Sequence, residues 1–131
     1  MKKTLIISAI ALSFSVATLN ADTVKVSTTN EVELTEKNEV NSFCRAIVKG
    51  DIETVKTLIN LGENINKKSR GMTPSMFAAR YNRVEILKLL ISNGADLKTK
   101  CKKGMTALKY AELSNASESY KLIKNTLKKK A

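Results

Sequence analysis

Few residues in this sequence are equipped for covalent chemistry. The 131-residue chain has no histidine, two cysteines, and 23 lysines and arginines against 12 aspartates and glutamates. Without histidine, the commonest general base and the commonest metal ligand are missing. Two cysteines build neither a disulfide scaffold nor a four-thiolate zinc site. The acids of the C-terminal two thirds fall singly, at Asp51, Glu53, Glu63, Glu85, Asp96, Glu112 and Glu118. There is no Gly-rich phosphate loop, no paired-Cys metal spacing and no nucleophile elbow. The expectation is a chain with no catalytic, cofactor-binding or metal residues, and therefore no enzyme. The remaining chemistry is charge. Lys67, Lys68 and Arg70 cluster in one polar segment, and Lys98, Lys100, Lys102 and Lys103 in another. Seven clustered cations raise association rates with an anionic partner; the same lysines also suit a surface that only keeps the chain soluble.

The N-terminal third reads differently from the rest. Met1-Lys2-Lys3 is a short basic start, Leu5 to Leu19 is an apolar run broken only by small polar residues, and Leu19-Asn20-Ala21 offers a small-residue cleavage site before Asp22. These are the three regions of a secretory signal peptide, in the bacterial style. The expectation is a signal peptide over 1–21, cleaved after Ala21, and a periplasmic or secreted product. A retained anchor is the alternative, although about 20 apolar residues are needed to span a bilayer. Residues 22–40 hold two lysines against five acids, with no aromatic residue. They read as a flexible acidic leader. Residues 41–131 hold 19 basic and 7 acidic residues and form the folded body.

That body repeats itself. Ala46 to Gly62 aligns with Ala78 to Gly94, and Gly71-Met72-Thr73 recurs as Gly104-Met105-Thr106, with one extra residue between Lys98 and Gly104. Each unit starts with a short apolar segment: Phe43 to Val48, Met76 to Ala79, Leu108 to Leu113. A residue tolerant of positive φ follows in register, namely Gly50, Asn82 and Asn115. A second apolar segment has helical spacing: Ile52, Val55, Leu58, Ile59, and then Val84, Leu87, Leu90, Ile91. Gly62 and Gly94 stand where a helix closes in the left-handed conformation. Thr73-Pro74 places an N-cap before a proline at the first helical position. Three helix pairs are predicted, near 41–61, 73–93 and 106–129. Glu53, Glu85 and Glu118 precede Lys56, Lys88 and Lys121 by three residues, a spacing suited to solvated helix pairs.

Helix, turn, helix and hairpin at this period resembles the ankyrin repeat. The residues that carry the resemblance are Gly71-Met72-Thr73-Pro74-Ser75-Met76-Phe77-Ala78-Ala79, Val84 to Ile91, and Asn93-Gly94-Ala95-Asp96-Leu97. The family's Thr-Pro-Leu-His tetrad reads Thr73-Pro74-Ser75-Met76 and Thr106-Ala107-Leu108-Lys109, with the histidine replaced both times. The resemblance, which is to a small exported bacterial member, implies an all-α solenoid of about three helix–turn–helix repeats joined by short hairpins, with polar end units. Loss of either end unit is expected to unfold much of the array. Cys44, in register with Met76, is expected in the core. Cys101 stands in a hairpin, where an exposed thiol would either pair between molecules or stay unmodified. Units advance on the order of 10 Å, beyond the reach of a disulfide, so no intramolecular bridge is expected.

Ankyrin repeats contact partners through hairpin tips and the first helix of each unit, on a concave face. Carried over by register, the resemblance implies partner-binding positions at Val48, Lys49, Ser69, Arg70, Met72, Arg80, Tyr81, Lys102, Lys103, Met105, Leu113 and Ser114. Arg70, Arg80 and Tyr81 are expected to converge near the middle unit, since arginine and tyrosine are enriched at hot spots. Met72 and Met105 offer adaptable apolar contact or only shield the stack. The expected function is an exported protein-binding module for an acidic surface of another envelope or secreted protein, with no small-molecule substrate. The alternatives are electrostatic capture of an anionic polymer or membrane surface, without spanning it, and a purely structural spacer. Nucleic acid is disfavoured because only Tyr81 accompanies the cations, and stacking platforms use several aromatics.

Overall fold

The computed structural model describes residues 39–131; the signal peptide read over 1–21 and most of the acidic leader lie outside them. Six helices follow one another: α1 (Ser42–Lys49), α2 (Ile52–Asn60), α3 (Pro74–Arg80), α4 (Val84–Ser92), α5 (Ala107–Leu113) and α6 (Ser117–Lys129). Among the described residues there is no strand, only an isolated bridge between Ser69 and Met72. The helices form three antiparallel pairs. The first helices of the pairs, α1, α3 and α5, pack side by side as an inner row, and α2, α4 and α6 form an outer row. The predicted helix pairs are all present, within a few residues of their expected bounds.

Each inner helix starts with the same device. Asn41, Thr73 and Thr106 are its N-caps, and their side chains accept from the backbone N–H groups of Cys44, Met76 and Lys109 at 2.8, 3.3 and 3.4 Å. In the middle unit the Met76 Sδ accepts from the Thr73 N–H at 3.4 Å, so a thioether stands where the family's histidine would. In the last unit Lys109 turns outward and pairs with Glu112 at 2.8 Å. Gly50, Asn82 and Asn115 take positive φ (79°, 51° and 53°), as their register requires.

The inner row is packed tightly because its contact residues are small. Ala46, Ala78, Ala79 and Ala111 are buried between helices, and six of the seven residues of α3 are buried. Around them lie Phe43, Ile47, Val55, Met76, Leu87, Leu90 and Ile123. Ser75 stands in register with Phe43 and Leu108, and its Oγ is the one buried side-chain polar atom without a hydrogen-bond partner among the described residues. Cys44 lies in this core as expected, and both cysteines are free thiols.

Two side chains of the middle unit make polar contacts with the units on either side. Arg83 precedes α4 and reaches back to the first unit, where its Nε and Nη2 donate to the Val48 carbonyl at 3.1 and 2.7 Å. A cation thus satisfies an orphan carbonyl at the negative end of α1. The guanidinium lies over Gly50, where an added Cβ would stand 3.1 Å from Nη1. On the other side, the Asn82 Oδ1 accepts from the Ser119 N–H at 3.2 Å and the Ser119 hydroxyl at 2.9 Å. Ala116, the N-cap of α6, has no capping side chain, so an asparagine from the neighbouring unit caps that helix at its third residue.

On the outer row, Glu53–Lys56 and Glu85–Lys88 pair at 3.0 and 2.8 Å. Glu118 and Lys121 were expected to do the same and do not; a pair within α5, Lys109–Glu112, forms instead. Each exposed pair is worth only a few tenths of a kcal/mol. Glu39 and Val40, placed in the leader by sequence, touch the body: Glu39 pairs with Arg45 at 2.7 Å, and Val40 packs against the core.

Replacing Asn82 with glycine keeps the left-handed backbone but removes the cap on α6. The expected loss is about 1–2 kcal/mol, read as a melting temperature lower by several degrees; Asn82→Ala should lose more, because alanine disfavours positive φ. A second expectation concerns pH. Burial, with the Glu63 charge adding to it, pushes the Cys44 thiol from 9.0 up to about 12. The folded chain holds that proton more tightly than the unfolded chain. Its contribution is therefore full below pH 9 and lost as pH rises from there toward 12. Denaturant titrations at about pH 8 and about pH 10.5 should show a loss on the order of 1 kcal/mol per pH unit in the upper part of the range. Cys44→Ala should lack that component.

Candidate protein-binding surface

Hairpins join the three units, and their backbone is set by glycine. In the first, the Ser69 and Met72 backbones exchange hydrogen bonds at 2.8 and 3.0 Å. The two tip residues, Arg70 and Gly71, both have positive φ (52° and 80°), as a two-residue loop with primed-turn geometry demands. In the second, Gly104 N–H donates to the Cys101 carbonyl and Cys101 N–H to the Met105 carbonyl, both at 2.9 Å. Its tip is Lys102-Lys103-Gly104, with Gly104 at φ 76°. This is the three-residue hairpin closed by a left-handed glycine, and the extra residue seen in the repeat alignment sits there.

The segments leading to the hairpins are tied together. Asn66 donates from Nδ2 to the Gly94 carbonyl at 3.3 Å and accepts at Oδ1 from the Asp96 N–H at 2.9 Å. Lys68 Nζ donates to the Lys100 carbonyl at 3.0 Å. The Lys102 side chain lies over Gly71. Asp96 closes its own turn by accepting from the Lys98 N–H and the Thr99 hydroxyl, and these bonds hold its carboxyl below the usual range. Lys67, Lys68, Arg70, Lys98, Lys100, Lys102 and Lys103 are all exposed. A ribbon of cations therefore runs across two hairpins of fixed conformation.

The far ends of the inner helices supply the apolar part. Tyr81, which ends α3, is 44% exposed, and Leu113, the last residue of α5, is 60% exposed. The Arg80 guanidinium carbon stands 5.8 Å from the Tyr81 ring centroid, within range of a cation–π contact. Lys49, Arg80 and Ser114 are exposed beside them, and Val48 and Met105 are half-buried.

Two of the expected contact residues are inside the protein. The Ser69 Oγ accepts from the Asn41 N–H at 2.9 Å, which fastens the entry to α1 against the first hairpin. Met72 is buried under that hairpin and shields the stack. The expected meeting of Arg70 with Arg80 and Tyr81 also fails. Arg70 precedes α3 and Arg80 ends it, and a seven-residue helix holds its ends roughly 10 Å apart. The surface has two zones instead, a cationic rim at the hairpins and an apolar zone at the helix ends.

Cys101 was expected at the surface of its hairpin and is buried. Tyr110, in register with Phe77, carries a hydroxyl that donates to the Cys101 Sγ at 3.4 Å. That bond, joined by backbone N–H groups of the hairpin, holds the thiol below its usual range and raises the Tyr110 phenol. Nothing in the repeat pattern distinguished a tyrosine facing a thiol from one facing solvent. Leu61 is 78% exposed beside Gly62, and no signal in the sequence marked it. Among the described residues no group of His, Cys, Asp and Glu side chains is placed to hold a metal ion, and no helix is long and apolar enough to cross a membrane.

Comparison with known proteins agrees with this architecture. The family model described as ankyrin repeats (3 copies) matches residues 43–130. Similar curated proteins bear the name ankyrin repeat, SAM and basic leucine zipper domain-containing protein 1. The one from Rhinolophus ferrumequinum is 42% identical over 62 residues, which is 47% of this chain and 12% of that protein. The one from Mus musculus is 40% identical over 62 residues, 47% of this chain and 13% of that protein. The one from Loxodonta africana is 36% identical over 69 residues, 52% of this chain and 14% of that protein. The match thus spans a small fraction of those relatives. With helix pairs, hairpins and family model in agreement over the same residues, the chain belongs to the ankyrin-repeat family, whose repeats serve as protein-interaction scaffolds.

Proposed function

We propose that this chain is an exported protein-binding module that grips an acidic surface of another envelope or secreted protein. It binds through the face formed by its hairpins and inner helices and performs no chemistry. The observation that carries this reading is the joint exposure of Tyr81 and Leu113 at the far ends of the inner helices, with Lys49 and Arg80 exposed beside them and a ribbon of cations at the hairpin end of the same row. Exposed apolar side chains next to charge are a recognition arrangement: the aromatic and aliphatic groups supply binding energy, and the cations speed and orient the encounter. Arg80 over the Tyr81 ring holds the pair in a defined position. Export rests on the basic start, apolar run and small-residue site over residues 1–21.

Affinity capture from the producing organism's envelope fraction tests the reading. The expected result is one acidic protein retained at moderate salt. Tyr81→Ala should weaken its binding about tenfold, the cost of losing a hot-spot side chain. Charge reversal at Arg70, Lys102 and Lys103 should slow association more than it speeds release. Recovery of nothing at low and moderate salt contradicts the proposal. So does binding that is indifferent to Tyr81→Ala but falls steeply with salt, which would mark a polyanion binder. Fractionation tests export separately: the processed chain belongs outside the cytoplasmic fraction, and an unprocessed chain confined to it would refute that part.

A further inference from the structure

The outermost helix carries a second basic surface, on the other row from the hairpins. Lys121, Lys124 and Lys128 recur at three- and four-residue spacing along one exposed stripe of α6, and Lys129 and Lys130 follow at the end of the helix. The repeat register shows how this helix departs from its two equivalents. On α2 and α4 the register lysines are neutralised by Glu53 and Glu85, whereas Lys121 makes no ion pair with Glu118. Lys124 occupies the position of Ile59 and Ile91, and its ammonium lies 5.4 Å from the Tyr120 ring centroid. Among the described residues none of the five lysines has a carboxylate within ion-pair distance.

Two simpler explanations cover only part of this. Cations stabilise the C-terminal end of a helix, but the effect fades beyond the last turn; Lys128 and Lys129 lie in that turn, and Lys121 and Lys124 do not. An end unit also needs a polar outer surface. The first unit meets that need with both signs, through Arg45, Lys49, Asp51, Glu53 and Lys56. Polarity alone does not select five lysines, and added acids serve solubility better.

We propose that this lysine stripe docks the chain flat on an anionic lipid bilayer, leaving the hairpin face free for a protein. The proposal is independent of the hairpin reading, because it concerns a different helix and different residues. A straight row of cations on one outer helix matches a plane of phosphate groups. Nucleic acid fits less well: the stripe has no arginine for bidentate contacts, and the Tyr120 ring is already covered by Lys124, so no stacking platform is open. Leu122, Ile123 and Leu127 pack toward the core, so α6 adsorbs by charge without inserting. Each lysine near an anionic leaflet contributes roughly a fivefold factor in partitioning, and three contribute roughly a hundredfold.

The test is sedimentation of the full chain with phosphatidylcholine vesicles made with and without phosphatidylglycerol. The component of binding that depends on phosphatidylglycerol is compared between the chain and its lysine variants, which share the basic start and apolar run over residues 1–19, so that the contribution of that segment cancels. The expected result is salt-sensitive binding that K121Q/K124Q/K128Q weakens about a hundredfold and R70Q/K102Q/K103Q leaves nearly unchanged. K124Q alone, a single exposed substitution, should weaken it about fivefold and gives the same readout if the triple change disturbs folding. The proposal is overturned by absence of phosphatidylglycerol-dependent binding, by loss through the hairpin variant instead, or by a triple variant that loses affinity for duplex DNA while holding its vesicle affinity.

Discussion

The packing of α3 between α1 and α5 is the contact on which the rest of the structure depends. A seven-residue helix is too short to be stable by propensity alone, and a helix pair of this size cannot cover its own apolar stripe. Here α3 buries six of its seven residues against neighbours from two other units, and alanines at the contacts let the backbones approach closely. The hairpins gain their fixed positions from the same stack, since each begins where one helix pair ends and closes onto the N-cap of the next inner helix. Tyr81 and Leu113 are displayed together only because α3 and α5 lie side by side.

Polar contacts fasten the middle unit to both of its neighbours. Arg83 binds the end of α1 from the second unit, and Asn82 caps α6 of the third. These neighbouring residues point to opposite sides of the middle unit, so each end of the array is fastened by a side chain from its centre. The register at position 82 explains the asymmetry. Gly50, its counterpart in the first unit, has no side chain to cap α4, and the space above it is taken by the arginine.

Much of the fold was legible in the sequence, because period, glycines and N-caps are local signals. The 32- and 33-residue repeats located all six helices, and the left-handed positions at Gly50, Asn82 and Asn115 followed from register. The site was half legible. Lys49, Arg70, Arg80, Tyr81, Lys102, Lys103, Leu113 and Ser114 are exposed where the family pattern places them. Ser69 and Met72 are not, because residues flanking a two-residue loop point alternately to solvent and to the stack, and the pattern could not say which. The contacts that Arg83 and Asn82 make with neighbouring units, and the Tyr110–Cys101 contact, were not legible for another reason. Each is a partnership between residues distant in sequence or at non-repeating positions, and a repeat comparison highlights only what recurs. Glu118–Lys121 is the converse case, a recurrence in sequence that α6 does not use.

The array carries two different charge surfaces, a cationic rim at the hairpins between its units and a lysine stripe on the last outer helix. Both need the three units to hold together as one body. Native-state hydrogen exchange on the full chain measures that most directly. If the units are mutually dependent, the slowest amides of α1, α3 and α5 should all exchange with one common free energy, equal to that of global unfolding. Amides of α1 or α5 opening several kcal/mol more easily than those of α3 would contradict it, and would show end units that come and go around a middle pair stable by itself.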